Sequence, residues 1–265
     1  METFEALDGY YGTHNEDARL MSRHGSVEFL TTVRYIEKYL KTGMKILEIG
    51  AATGQYSHYF ARNGFTVDAV ELIPRNIELF KEKTEPGEKT TVYQGNAVDL
   101  NFLSANTYDI TLILGPMYHL FCEKDKLSAL SEALRVTKHG GIVFAAYCIA
   151  DASIIGYGFL RGNVKALVNS GMLDPITFQT HSEPKDVFEL YRKADIDALM
   201  LHFNVTRLNY IGTDMVTNFM RETVDAMDDE TFALFMKYHF SICEREDLIG
   251  ATHHSLDIFR KDYYD

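Results

Sequence analysis

"MKILEIGAATGQYS", residues 44–57, is the stretch that decides the fold. Its first six residues are nearly all apolar and do not alternate, as in a strand buried on both faces. Gly50 and Gly54 follow, and Tyr56, Tyr59, Phe60 and Ala61 then return at helical spacing over 54–63. A strand, a glycine loop and a helix N-terminus in that order let a ligand approach the backbone closely. The free N–H groups and the dipole of the helix end suit a carboxylate or a phosphate. The loop is not a Walker cradle, because no Lys-Ser/Thr pair follows Gly54. A dinucleotide fingerprint needs glycines at 52 and 55, where this chain has Ala52 and Gln55.

Working outward, 26–40 predicts a helix with Ser26 as N-cap, and Asn63-Gly64 stops the helix after the loop. The pattern then alternates: strand 66–72, helix 74–84 opened by Pro74, strand 90–95 and strand 108–115. Helix 124–137, closed by Lys138-His139-Gly140-Gly141, leads to a fifth strand over 141–149. Strands interleaved with helices imply right-handed crossovers and a parallel sheet covered on both faces. Beyond Ile149 the rhythm changes. Glycine-broken helical patches fill 150–185, then come a helix over 185–200 and a strand near 203–211. Two Met- and Phe-rich helices are expected over 213–249, and a half-buried strand over 252–261. The segments 150–185 and 213–249 read as cap insertions in one domain spanning 26–265, preceded by an N-terminal segment, 1–25.

Composition narrows the function. A net charge of -12 without clustered Lys or Arg argues against nucleic acid as a partner. Cys122, Cys148 and Cys243 are far apart and form no zinc spacing, which fits reduced thiols in the cytoplasm. The N-terminus reads as neither signal nor transit peptide, and no apolar run is long enough for a bilayer, so no membrane partner is expected. No metal is expected: His253 and His254 would alternate across a strand, with at most one pointing inward.

In a parallel α/β sheet, ligands sit at the carboxyl ends of the strands. Glu71, at the tip of the second strand, is a candidate to hold a ribose diol, with Leu72 and Ile73 beside it to flank a base. "GNAVDL", 95–100, offers the Asn96 side chain and the adjoining backbone of Ala97 to a base edge. "LEIGAATGQYSHYFARNGFTVDAVEL", "GNAVDL", "YDITLILGPMYHL" and "ALSEALRVTKHGGIVFAAY" together resemble the class I S-adenosylmethionine-dependent methyltransferase family. The resemblance runs from about 26 to 149 and resumes weakly at 186–211 and 252–261. It implies a doubly wound, Rossmann-like α/β fold whose seven strands take the order 3-2-1-4-5-7-6, the last antiparallel.

The resemblance also implies S-adenosyl-L-methionine as cofactor and a small-molecule methyl acceptor. Glu48, Gly50 and Gly54 match the family's acidic glycine loop, with Ala52 in place of the middle glycine and Asn96 in place of a common Asp. Ala51 and Tyr56 of that loop, and Leu114 and Gly115 after the fourth strand, are expected at the cofactor. Tyr118 is a candidate to orient the acceptor and face the methyl group, and His119 is a candidate general base. Tyr10, Tyr11 and Arg19 of the N-terminal segment are expected to close over the site. The competing readings are an NAD-dependent oxidoreductase on a similar scaffold and a cofactor-binding protein without turnover. Oligomeric state is not legible.

Overall fold

The computed structural model describes residues 2–13 and 16–263, so His14 and Asn15 of the expected closing segment lie outside the described residues. The chain starts with α1 (Glu2–Thr13), α2 (Glu16–Met21) and α3 (Arg23–Glu37). The sheet half follows as β1 (Lys45–Ile49), α4 (Gln55–Arg62), β2 (Thr66–Glu71), α5 (Pro74–Lys83), β3 (Lys89–Gln94), β4 (Tyr108–Ile113), α6 (Glu123–Val136) and β5 (Thr137–Cys148). Between β5 and β6 (Val205–Gly212) lie α7 (Ala150–Ser153), a π-helical turn at Ile154–Leu160, α8 (Val164–Asn169) and α9 (Lys193–Met200). Between β6 and β7 (His254–Lys261) lie a 3-10 turn at Met215–Phe219, α10 (Arg221–Asp225) and α11 (Asp229–Ile242).

The strands form one sheet in the order β3-β2-β1-β4-β5-β7-β6, as expected, with β7 antiparallel to both of its neighbours. The unbroken apolar runs are explained by two cores. Leu47, Ile49 and Ile113 face one, while Ile46, Ile110 and Leu112 face the other. Each such side chain contributes about 2 kcal/mol on burial, so these central strands hold the sheet rigidly under the loops at their ends.

Several expectations are corrected. The third helix is capped by Ser22, not Ser26: Ser22 Oγ accepts from Gly25 N at 3.1 Å, while Ser26 Oγ donates to Arg23 O. Gly25 permits that turn, since a Cβ there would lie 1.8 Å from Arg19 O. Lys138–Gly141 do not close a helix. They form an irregular start to β5, which pairs at Tyr108 with Thr137 and then shifts register before Ile110 pairs with Ile142. The helix expected over 185–200 exists only from Lys193. Before it, Val187 has a positive φ, and Tyr191 extends along the end of β5 through Tyr191 N to Cys148 O at 2.8 Å. Finally, β7 is buried on both faces rather than half-buried, because it runs inside the sheet between β5 and β6.

Candidate active site

The glycine loop is built on unusual backbone. Gly50 and Gly54 have φ of 74° and 89°, and a Cβ on Gly54 would lie 2.4 Å from the Phe80 ring. Ala52 also has a positive φ, 47°, a conformation that costs a side-chain-bearing residue about 1 kcal/mol. Its N–H donates to Glu71 Oε2 at 2.8 Å. Glu71 Oε1 accepts from Ile73 N at 2.9 Å and Asn76 Nδ2 at 3.2 Å. Glu71 thus ties the β1 loop to the turn after β2, and burial raises its pKa despite these donors. Glu48 is buried beneath the loop, and desolvation pushes its pKa up to about 8 although Ser57 donates to it.

Two cavities meet at the strand ends. The smaller, about 70 Å³, is lined by Glu48, Gly50, Ala51, Tyr56, Leu114 and Gly115 on the sheet side and by α2 opposite. The larger, about 1080 Å³, lies beneath both cap insertions. Tyr11, Glu16, Arg19, Tyr118 and His254 line both, so they form the wall between them. Glu71, Leu72, Asn96, Ala97 and His119 line neither. Asn96 is exposed at the end of β3, where its Oδ1 accepts from Val98 N at 3.2 Å.

That wall is a chain of opposite charges. Arg19 donates to both oxygens of Glu28, at 2.6 and 3.2 Å, and to Glu16 at 2.7 Å. Glu28 lies 3.4 Å from His254 Nδ1, which lies 2.9 Å from Asp214 Oδ2. Burial opposes charge on His254, but Glu28 and Asp214 overcome it and hold its pKa well above the ordinary value. Asp214, at the end of β6, also receives His253 N, His254 N and Thr252 Oγ1 on its other oxygen. His253 and His254 both line the large cavity, contrary to the alternation expected of a strand, because they stand where β7 begins. Burial and the neighbouring His254 push the His253 pKa down to about 3. Asp214, His253 and His254 bring ligand-type atoms within 4.8 Å of one another. The saturation of Asp214 by donors makes this an ion pair with a protonated imidazole. Sequence reasoning missed Asp214 and Glu28, because only the antiparallel return of β7 brings them to His254.

The N-terminal segment closes over the strand ends. Tyr11 donates its hydroxyl to His119 Nε2 at 2.9 Å, because Nδ1–H of His119 is committed to Val187 O at 2.8 Å. Asp17 accepts from Thr53 Oγ1 at 2.6 Å and pairs with Lys83, and Arg75 donates to Gly12 O. Tyr10, Tyr118 and His119 all pack against Phe188. Burial lowers the His119 pKa to about 4, so its neutral ring is set to accept from Tyr11. Tyr118 donates its hydroxyl back to Leu114 O at 2.7 Å, which fixes its ring at the wall between the cavities.

The sheet order, with the glycine loop after β1 and the acid that ends β2, is that of the Rossmann-like methyltransferase fold. A family model described as "Methyltransferase domain" matches residues 47–145. Residues 47–145 thus match a methyltransferase domain, and the fold is the Rossmann-like one of solved SAM-dependent methyltransferases. The ubiquinone biosynthesis O-methyltransferase of Methylocella silvestris is 31% identical over 127 residues, 48% of each chain. That of Cereibacter sphaeroides is 24% identical over 156 residues, 58% of this chain and 61% of the relative. The chain therefore spans about half to three-fifths of the curated relatives it matches. A SAM-dependent methyltransferase from Methanosarcina mazei superposes with a TM-score of 0.59 at 14% identity, covering 87% of this chain and 98% of that one. A possible histamine N-methyltransferase from Thermotoga maritima gives 0.59 at 14%, covering 98% and 100%. These likenesses describe the fold.

The donor set of the small cavity fits the family's cofactor. Arg19 and protonated His254 are its cations, and Glu16, Asp17, Glu28 and Glu48 are its acids, which suits a ligand carrying both a carboxylate and positive charge. No helix among the described residues is long and apolar enough to cross a membrane.

Proposed function

We propose that this chain is a methyltransferase that takes S-adenosylmethionine in the small cavity and a small-molecule acceptor in the large one. The observation that carries the reading is the shared wall: Tyr11, Arg19, Tyr118 and His254 face both spaces. The cofactor supplies a methyl group already activated on a sulfonium. The chain's own residues then have to align the acceptor and exclude water. Arg19 is the candidate to hold the amino-acid carboxylate, and Glu48 and Glu28 the positive charge. Tyr118, held by Leu114 O, presents its ring at the junction, where a cationic methyl group gains from an aromatic face. His119 serves in this reading as the anchor for Tyr11, and through it for α1, rather than as a base. The curated relatives are named for O-methylation; an oxygen acceptor is the first to try. The three free cysteines support a cytoplasmic setting.

A cavity of about 70 Å³ has room for about two waters. Access for an amino-acid-tailed nucleoside therefore needs α1 and α2 to swing outward. Calorimetry with S-adenosylmethionine, S-adenosylhomocysteine and NAD tests the reading. Binding of the first two and not the third is expected. Binding of NAD alone would establish the oxidoreductase reading, and binding of none would remove the methyltransferase one.

A further inference from the structure

The large cavity contains a charge arrangement that cofactor binding does not use. Arg161 follows the π-helical turn of the first cap insertion, and Arg221 opens α10 in the second. Both side chains line the cavity. The two insertions touch here, since a Cβ on Gly156 would lie 3.5 Å from Asn218 Nδ2 and 3.7 Å from the Phe219 ring. Asn218 Oδ1 in turn accepts from Arg221 Nε at 2.9 Å, which aims the guanidinium.

Most other charges around the cavity are paired, but the carboxylates of Asp186 and Glu222 have no cation within ion-pair distance among the described residues. Arg19 pairs with Glu16 and Glu28, His24 with Asp225, and His254 with Asp214. Asp186 accepts from Glu183 N in its own turn. Among the described residues, neither Arg161 nor Arg221 has a carboxylate within ion-pair distance, and Glu222, although it lines the cavity, pairs with neither. In a chain with 38 acids to 26 Lys and Arg, an unneutralised arginine pair is anomalous. Arg161 is exposed and Arg221 half-buried, and neighbouring like charges repel unless something of opposite sign joins them. Burial, and then Arg161, hold the Arg221 pKa below its ordinary value, as expected of two cations side by side. The remaining walls mix polar groups with an apolar set, Ile154, Leu160, Leu173, Phe188, Phe219 and Met220.

We infer that the methyl acceptor is an apolar-bodied anion, whose carboxylate or phosphate is seated between Arg161 and Arg221. Guanidinium groups suit either oxyanion through paired N–H donors. The inference rests on the methyltransferase reading for the word acceptor, but the anion site can be tested without turnover. The chain, with and without S-adenosylhomocysteine, is titrated calorimetrically with 3-phenylpropionate, phenyl phosphate and the neutral 3-phenylpropionamide. At least one anion is expected to bind about tenfold or more tightly than the amide, and the stronger of the two identifies the oxyanion. The double variant Arg161→Gln/Arg221→Gln should lose this preference while retaining its melting temperature and its affinity for S-adenosylhomocysteine. Arg161→Lys/Arg221→Lys should retain part of it. Equal binding of amide and anions, a preference that survives the Gln variant, or no binding of any probe would overturn the inference. Failure of S-adenosylhomocysteine to bind would instead overturn the methyltransferase reading, with the anion comparison still read on the chain alone.

Discussion

The sheet half, residues 45–148, and the segments that cover its strand ends differ in how their contacts are made. In the sheet half, each candidate site residue is placed by its own strand and the turn after it: Glu48 by β1, Glu71 by β2, Leu114 and Gly115 by β4. In the cover, partners come from different elements, some of them far apart in the chain. Tyr11 meets His119, Arg19 meets Glu28, and Glu28 and Asp214 meet His254. The first region is rigid because apolar strands are buried on both faces. The second is joined largely by polar contacts, each worth about 1 kcal/mol. Such a cover can open for a ligand without unfolding the sheet beneath it.

The largest test of this contrast is Gly54→Ala. The added Cβ would enter the Phe80 ring from a backbone held at φ 89°. Left-handed strain and overpacking together cost about 3 kcal/mol. Urea unfolding should show that loss for the whole chain, because the loop is part of the rigid region. A loss under about 1 kcal/mol would mean the loop yields independently.

Glu48→Gln probes electrostatics within the same region. Glu48 is raised to about 8, above the usual carboxylate range, so its native form retains a proton that the unfolded chain gives up. Its contribution is full below about pH 4.5 and is lost as pH rises towards about 8. Stability should therefore decline over that interval, and Glu48→Gln should flatten the decline. Binding of a positively charged ligand favours the ionised form, so cofactor binding near neutral pH should release protons. Calorimetry in buffers of different ionisation enthalpy reads that release, and the variant should abolish it.

The cover is tested by Tyr11→Phe, which leaves His119 Nε2 without its donor. A loss of about 1 kcal/mol in cofactor affinity is expected, with little change in the unfolding midpoint. His119→Ala should weaken affinity similarly, and the double variant should lose no more than either alone. If His119→Ala instead lowers turnover while leaving affinity intact, the imidazole acts on the acceptor, as the sequence reading expected, and not through Tyr11.

What was legible in the sequence follows the same division. Gly50, Gly54 and Glu71 could be read because strand, turn and helix are local, and a helix needs its start and stop within a few residues. The sheet order, with its antiparallel strand, came with the resemblance and not from the residue pattern. It did not reveal the Asp214–His254 pair, because a strand order fixes which strands are neighbours but not which residues beyond their ends meet. The segment before Lys193 was misread because Val187, Leu190 and Tyr191 mimic helical spacing. Their backbone instead follows the end of β5, with Glu189 N donating to Tyr118 O at 2.8 Å. Both failures are tertiary contacts overriding local pattern.

Ala52→Gly should have the smallest effect, and it separates strain from function within the loop. Ala52 has the left-handed backbone that glycine adopts freely, at φ 47°. Relief of about 1 kcal/mol is opposed by about 0.4–1 kcal/mol of added flexibility in the unfolded chain. The melting temperature should therefore rise slightly or not at all. The Ala52 N–H to Glu71 Oε2 bond is a backbone bond and survives the change. Cofactor affinity should then stay within about twofold of the parent. A larger gain would mean that the Ala52 methyl group itself obstructs the ligand, and that the substituted glycine loop trades affinity for a more rigid turn.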